Sequence, residues 1–507
     1  MAVFGVGTDI IEIERISDIL SRGDRFLDRV LTANEREYLR LRGMKNESVA
    51  SMWCAKEAVA KALGTGIRGF EMKDIEIIHD DLGKPAVLLH SGASETAERL
   101  GAGSILLSIS HCRQYAVAMC VIEKREGALW AEINLDNILH NYRSLRALTK
   151  EGTKSCAIIK ANGYGHGSVE LAKVLEEDGC DYFGVATANE ALELRKHGIK
   201  APVMCLAYIE EDLYGEFIEK EIDIPLFSYQ TAKKVSDRAA ELGKSARIQV
   251  KLDTGMSRVG FQCNDETVGE LEKISKLPNL ILQGIFTHFA KADEWDRSET
   301  DLQFSRYEKI VKAIEEKGIR FNIRHVCNSA GTIMYPEYHL DMVRMGISLY
   351  GHYPSDEVEK ERVELRPAMA LKTKISHVKL LEEGRGVGYG HKYVVENGSK
   401  YIATAPIGYA DGFTRMLSQK ADVLINDRLY NLAGNICMDQ SMFLVDETVS
   451  TGDIITIFSE DEKIRVERLA KRLGTINYEI LCMVQRRIPR LYIRDGKICR
   501  TVNYLID

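Results

Sequence analysis

Cysteine pairs at redox or metal-binding spacing are missing from this chain. Its eleven cysteines contain no CxxC pair and no Cys/His metal spacing, so they read as reduced thiols of a cytoplasmic protein. No apolar run approaches the ~20 residues of a membrane-spanning helix, so no membrane segment is expected. Excess positive charge is also absent. The formal net charge of -7 excludes a general nucleic-acid or anionic-membrane binder. The opening residues, Met1-Ala2-Val3-Phe4-Gly5-Val6-Gly7-Thr8-Asp9, lack a basic n-region and meet an acid early, so no signal peptide is expected. Low-complexity tracts and solenoid repeats are absent as well.

What remains is an ordinary globular composition, 45% hydrophobic and 28% charged, over 507 residues. That length implies about two to four domains. The pattern changes character at Glu123-Lys124-Arg125-Glu126-Gly127, a short charged stretch between two blocks. Before it, helical segments and alternating strand signals such as Ile105-Leu106-Leu107-Ser108-Ile109-Ser110 predict an α+β unit. After it, seven to eight strand signals interleave with helical segments, among them Arg247-Ile248-Gln249-Val250-Lys251-Leu252-Asp253 and Ile323-Arg324-His325-Val326-Cys327-Asn328. That alternation predicts a parallel β/α barrel. From about Leu365 the text becomes strand-rich and turn-punctuated, which predicts a separate β domain. The expected divisions are 1–124, 128–365 and 366–507.

Within the barrel block, Ile158-Ile159-Lys160-Ala161-Asn162-Gly163-Tyr164-Gly165-His166-Gly167 is the most informative stretch. It reads as a buried strand ending at Lys160, followed by a glycine-rich turn. The C-terminal mouth of a barrel strand is where chemistry is sited in this architecture. An amine held there among apolar neighbours is suited to capturing a carbonyl cofactor.

This segment resembles the pyridoxal-phosphate signature of the alanine racemase family. The resemblance runs from about Leu129 to the C-terminus through motifs in the family's order: Lys251-Leu252-Asp253-Thr254-Gly255-Met256-Ser257-Arg258, Thr287-His288-Phe289-Ala290, Asn328-Ser329-Ala330 and Arg344-Met345-Gly346-Ile347, then Val387-Gly388-Tyr389-Gly390, Gly408-Tyr409-Ala410-Asp411-Gly412 and Cys437-Met438-Asp439-Gln440. The resemblance implies a (β/α)8 TIM-type barrel with a C-terminal mostly-β domain, pyridoxal 5'-phosphate as cofactor and L- and D-alanine as substrates. Racemisation needs two bases on opposite faces of a planar carbon. The resemblance assigns these to Lys160, which also holds the cofactor, and to Tyr389 from a partner subunit. A tyrosine with its usual pKa near ~10 is a poor base at neutral pH. By resemblance it is assisted through His288 and Arg344, with Arg344 facing the cofactor's ring nitrogen. Tyr164, Ser329, Gly346 and Ile347 should cradle the phosphate, and Arg258 and the backbone of Met438 should meet the substrate. Lys251 matches a lysine that the family often carbamylates, and Tyr409 and Asp439 resemble entry-channel residues. Where many relatives carry a phosphate-binding tyrosine near the C-terminus, this chain shows Arg486, which is left outside the expected site.

Residues 1 to about 122 resemble holo-acyl-carrier-protein synthase through Gly5-Val6-Gly7-Thr8-Asp9, Arg29-Val30-Leu31-Thr32, Trp53-Cys54-Ala55-Lys56-Glu57-Ala58-Val59-Ala60-Lys61, Gly83-Lys84-Pro85 and Ser108-Ile109-Ser110-His111. That implies transfer of 4'-phosphopantetheine from coenzyme A to a serine of apo acyl-carrier protein. Asp9 and Glu57 would hold Mg2+, which takes a couple of carboxylates plus phosphate oxygens and water. Glu57 and Lys61 stand at i and i+4, so Lys61 can reach a phosphate from the same helical face. Arg15, Arg22, Arg25 and Arg29 would dock the acidic carrier, and His111 would line the coenzyme pocket.

The combined expectation is a cytoplasmic bifunctional enzyme feeding cell-wall synthesis and activating acyl carriers. Competing readings are a racemase of another amino acid, or a pyridoxal-phosphate homeostasis protein with a decayed oligomerisation module. Related transferases are trimeric and related racemases dimeric, so coexistence of both associations implies a hexamer of dihedral symmetry.

Overall fold

The structure is a computed structural model describing residues 3–80, 82–124 and 127–506. Of the charged stretch read as a join, Arg125 and Glu126 lie outside the described residues. The chain divides into two compact units, Met1–Ala128 with Ile498–Val502, and Leu129–Lys497 with Asn503–Ile506.

In the first unit, strands Val3–Glu12, Tyr115–Lys124 and Ala102–His111 form an antiparallel sheet with Tyr115–Lys124 in the centre. The helix Asn46–Ala62 buries Val49, Ala50, Met52, Ala55, Ala58, Val59 and Ala62. It lies very close to the first strand, and the sequence shows why. A Cβ added at Gly5 would sit 2.0 Å from the Ala62 carbonyl oxygen, and one at Gly7 would sit 2.1 Å from that of Ala58. The Gly-x-Gly of the opening motif therefore sets the spacing between Asp9 and the helix carrying Glu57 and Lys61. The sheet's other face is open. Val6, Ile10, Leu106, Val117 and Met119 are 53%, 64%, 51%, 40% and 48% exposed. A hairpin, Ile75–His79 with Pro85–Leu89, completes the unit. Beneath it, Lys56 Nζ lies 2.7 Å from Glu35 Oε2 with both side chains fully buried. Lys56 also donates to the carbonyls of Met72 and Ile75.

The second unit opens with Leu129–Asn134. The division at 128 groups this strand with the barrel, but its backbone pairs antiparallel with Met369–Lys374 and parallel with Arg490–Arg494. Eight parallel strands then build the barrel: Lys154–Ile158, Tyr182–Val185, Val203–Cys205, Ile222–Leu226, Ala246–Asp253, Leu280–Phe286, Ile323–His325 and Met342–Met345. The last pairs with the first. Between the seventh and eighth, the backbone N–H of Asp341 reaches the Arg324 carbonyl at 3.1 Å and that of Arg344 reaches Cys327 at 3.1 Å, stitching the ring shut. The eighth strand carries Arg344, which the sequence marked as a motif rather than as a strand. The C-terminal part places Arg428–Asn431, Asp422–Ile425, Ile454–Phe458, Met369–Lys374, Leu129–Asn134 and Arg490–Arg494 side by side in one sheet. A second sheet holds His377–Leu381, Lys400–Ala405 and Ser441–Val445. Two helices, Val466–Leu473 and Asn477–Cys482, interrupt this strand-rich region.

Candidate active site

Lys160 stands two residues beyond the first barrel strand, which ends at Ile158 rather than at Lys160 as the sequence suggested. Behind it the chain enters a left-handed turn, with Ala161 at φ 51°, Asn162 at 53°, Gly163 at 61° and Tyr164 at 50°. Left-handed backbone costs an alanine roughly 1–2 kcal/mol, so this turn needs external bracing. The Ala161 N–H donates to Glu190 Oε1 at 2.6 Å. Arg490, fully buried, donates through Nε and Nη2 to the Gly165 carbonyl at 3.1 and 3.0 Å. Burial lowers the Lys160 ammonium from its ordinary value, and Arg258 lowers it further.

Around this amine the barrel mouth gathers cations. Lys251 is 3% exposed, and burial followed by Arg258 and Arg344 pushes its pKa down to about 8. His288 is driven well below 6.5 by burial and then by Arg344, Arg258, Lys251 and Lys160, so it stands neutral. Arg344 is 3% exposed and pushed down to about 10 by burial. Its guanidinium donates to the carbonyls of Thr287, Val326 and His325 at 2.7, 2.9 and 3.1 Å and to His325 Nδ1 at 2.8 Å. His288 Nδ1 lies at 3.4 Å from Nη2.

One end of this space is built for a small anion. Ser329 Oγ accepts from the N–H groups of Gly346 at 2.8 Å and Ser348 at 3.3 Å. A Cβ at Gly346 would stand 3.4 Å from Ser329 Oγ and 3.5 Å from the Tyr164 hydroxyl, ordinary contact distances, so both hydroxyls face this glycine. Ile347, fully buried, starts the short turn beyond. An amine with a lowered pKa, a ring of cations and this cradle fit pyridoxal phosphate, an aldehyde bearing a phosphate. Tyr478 belongs to the cradle's surroundings, its ring centroid 6.1 Å from that of Tyr164. Arg486 stands outside the site expected from sequence. That residue lies 3.3 Å from Glu193 and over the Tyr504 ring, outside the cradle.

Tyr389, Met438, Tyr409 and Asp439 form a second, exposed group on the strand-rich part. Tyr389 is 73% exposed, and Asn435 Nδ2 donates to its carbonyl at 2.8 Å. Met438 is 54% exposed and its carbonyl takes the Ala410 N–H at 3.0 Å. Asp439 pairs with Arg487 at 2.8 Å.

In the first unit, Asp9 and Glu57 stand close enough for the charge of one to act on the other. The Glu57 carboxyl is pushed up by burial and then by Asp9. Lys61 Nζ lies 2.8 Å from Asp9 Oδ1 and donates to the Thr8 carbonyl at 3.1 Å. It pairs across to the strand rather than along its own helix to Glu57. Among the described residues no cluster of three or more His, Cys, Asp or Glu side chains is suited to a metal. Two adjacent carboxylates nonetheless fit Mg2+, which completes its shell with water and phosphate. Arg15, Arg22, Arg25, Arg29 and His111 are all exposed.

A closed barrel with a lysine-centred, cation-rich mouth, joined to a strand-rich domain and preceded by an α+β unit, defines a two-part enzyme built around an anionic cofactor. The chain belongs to the alanine racemase family. Residues 133–354 match the family described as alanine racemase, N-terminal domain, and 368–492 match alanine racemase, C-terminal domain. Residues 5–120 match the 4'-phosphopantetheinyl transferase superfamily, so the chain is a fusion. It is 43% identical over 382 residues to the alanine racemase of Clostridium tetani, covering 74% of this chain and 98% of that protein. It is 45% identical over 369 residues to that of Methanococcus maripaludis, covering 72% and 98%. Among solved structures it is similar to the alanine racemase of Clostridium difficile, with TM-score 0.74, 45% identity and coverage of 76% and 100%. A further similarity is to the Bacillus anthracis alanine racemase with bound L-Ala-P, with TM-score 0.71, 33% identity and coverage of 75% and 98%.

Proposed function

We propose that the protein is a bifunctional enzyme that interconverts L- and D-alanine with pyridoxal 5'-phosphate and transfers 4'-phosphopantetheine from coenzyme A to an apo acyl-carrier protein. The domains would be 1–124, 128–365 and 366–507, working in the cytoplasm, with D-alanine serving peptidoglycan synthesis and the carrier serving fatty acid synthesis. The observation that carries the racemase reading is the position of Lys160, just past the first barrel strand and in a mouth it shares with Lys251, Arg258 and Arg344.

When bound, pyridoxal phosphate supplies an electron-withdrawing ring that acidifies the substrate's Cα–H. Lys160 Nζ holds the cofactor and carries the Cα proton on one face. Tyr389 Oη, supplied by a partner subunit, carries it on the other. The large exposure of Tyr389 in the single chain supports that assignment. Tyr164, Ser329 and the N–H groups of Gly346 and Ile347 hold the phosphate, and Tyr478 closes over Tyr164. Arg258 and the Met438 N–H orient the substrate carboxylate. Neutral His288 accepts from Arg344 and passes its influence to the phenol, because cationic Arg344 behind it favours phenolate. A Lys251 carbamate would add an anion to orient Arg258. Turnover of each alanine enantiomer, compared with a panel of other amino acids, tests the reading. Cofactor binding without turnover would favour a homeostasis role.

In the transferase unit, Asp9 and Glu57 would hold Mg2+, and Lys61, now paired with Asp9, would reach a phosphate of coenzyme A. Bound there, Mg2+ would supply charge neutralisation at the pyrophosphate of coenzyme A. Arg15, Arg22, Arg25 and Arg29 dock the acidic carrier, and His111 lines the coenzyme pocket. Carrier modification that depends on Mg2+ and disappears in Glu57→Ala tests this, and modification unaffected by that change would remove the metal assignment.

A further inference from the structure

Barrels of this kind are commonly filled by layers of branched apolar side chains. This one contains a continuous polar column. Residues 247, 249 and 251 alternate along one strand and share its inward face. At the lower end, Asp223, fully buried, accepts from Tyr182 Oη at 2.6 Å, Arg247 Nε at 2.7 Å and Gln249 Nε2 at 2.7 Å. Gln249 Oε1 meets His325 Nε2 at 3.1 Å, and His325 Nδ1 meets Arg344 Nη1 at 2.8 Å. Gln249 and His325 are also fully buried. Room for this crossing is made on the neighbouring strand, where a Cβ at Gly284 would fall 1.8 Å from Gln249 Oε1. The His325 ring is stacked on Phe286 at 4.9 Å with planes 4° apart, so it cannot readily turn.

Both ends of the column fix its polarity. Asp223 takes the Arg247 guanidinium and the Tyr182 hydroxyl and serves here as acceptor, so Gln249 must turn its NH2 toward Asp223 and its oxygen toward His325. The oxygen then requires a hydrogen on Nε2. A guanidinium can only donate, so Nδ1 of His325 must be bare. The two requirements agree on one neutral tautomer. Among the described residues Arg344 makes no carboxylate contact of its own; its remaining acceptors are main-chain carbonyls and His288.

We propose that Asp223 is a positioning residue for Arg344, acting through Gln249 and His325 to hold one histidine tautomer and so fix the guanidinium beneath the cofactor. This rests on the racemase reading for its catalytic consequence, though not for the tautomer itself. Without Asp223 as acceptor, the Gln249 amide is free to reverse and face His325 donor to donor. The imidazole must then shift its proton or its position, and Arg344 loses a fixed partner. Asp223 itself is fully buried against Tyr182, Arg247 and Gln249.

The test uses the full-length holoenzyme labelled with 15N-histidine. The His325 signals are assigned by their loss in His325→Gln. Wild type is expected to show a protonated Nε2 and a bare Nδ1 across neutral pH. Asp223→Asn is expected to split those signals between two tautomers, to leave KM for alanine within twofold, and to lower kcat by about tenfold in both directions. Gln249→Met, which removes the relay while leaving Asp223 to Tyr182 and Arg247, should reproduce the kcat loss if Asp223→Asn fails to fold. A wild-type His325 protonated at Nδ1 would overturn the proposal, as would unchanged signals and kcat in either variant. A wild type that binds cofactor yet racemises nothing defeats the functional reading instead, and the tautomer measurement still stands.

Discussion

Lys251 sits with its ammonium 5.7 Å from the centre of the Phe286 ring, and its pKa of about 8 compares with an ordinary 10.5. The folded protein therefore sheds this proton before the unfolded chain does. The destabilisation is complete below about pH 8 and disappears as pH rises toward 10.5. Lys251→Met should raise stability by about 3 kcal/mol at pH 7, with the gain vanishing near the top of that window. A melting difference that ignores pH would contradict the shift. Tyr389→Phe should cut racemisation by about 10²–10⁴ while the absorbance of cofactor bound at Lys160 persists. Full activity in that variant would remove Tyr389 from the chemistry. At this scale, Lys160, His288 and Arg344 could be picked out as candidates because motif order and residue type coincided, and the structure brings the three together. His325, Tyr478 and Arg490 were not. Each lies in a segment whose local pattern says only strand, helix or turn, and each acquires its partner from far along the chain.

The turn after Lys160 cannot hold itself. Its left-handed residues rely on Glu190 and Arg490, the latter also donating to the Val484 carbonyl at 2.9 Å. Arg490→Met should destabilise the second unit by about 3 kcal/mol and weaken cofactor retention, read by dialysis and absorbance. Undiminished retention would mean that the turn is braced elsewhere. In the first unit, the helix Asn46–Ala62 carries a fully buried Lys56–Glu35 pair. Lys56→Met strands a buried carboxylate and should cost about 3–5 kcal/mol, visible as a lowered melting transition with the racemase activity intact. Loss of less than a degree in Tm would show that Glu35 is satisfied by its backbone donors alone. The sequence showed these elements through periodicity, but not their burial: Lys56 beside Glu57 and Lys61 reads as one more charge on a solvated face. The barrel's strand alternation was legible, yet the polar column inside it was hidden, since Gln249 and Asp223 look like ordinary interruptions of apolar runs.

At the level of the whole chain, the open apolar face of Val6, Ile10, Leu106, Val117 and Met119 supports association through the first unit. Exposed Tyr389 supports a shared site in the second. Light scattering should find six chains of 57.0 kDa, the smallest closed assembly with both symmetries. A plain dimer would mean that this face stays uncovered and that the transferase trimer is lost. The order of the domains was legible from motif order, and the fusion from two independent motif sets. What composition could not convey is that Leu129–Asn134 leaves the barrel and sits between strands from much later in the chain. That placement has a consequence during translation. The strand emerges early, but Met369–Lys374 follows only about three-quarters of the way through synthesis and Arg490–Arg494 near its end, and ribosomes add roughly 5–20 residues per second. For tens of seconds the nascent polypeptide presents a sticky, half-finished ribbon beside the exit tunnel, so its yield in cells should depend on elongation speed and on chaperones that shield it.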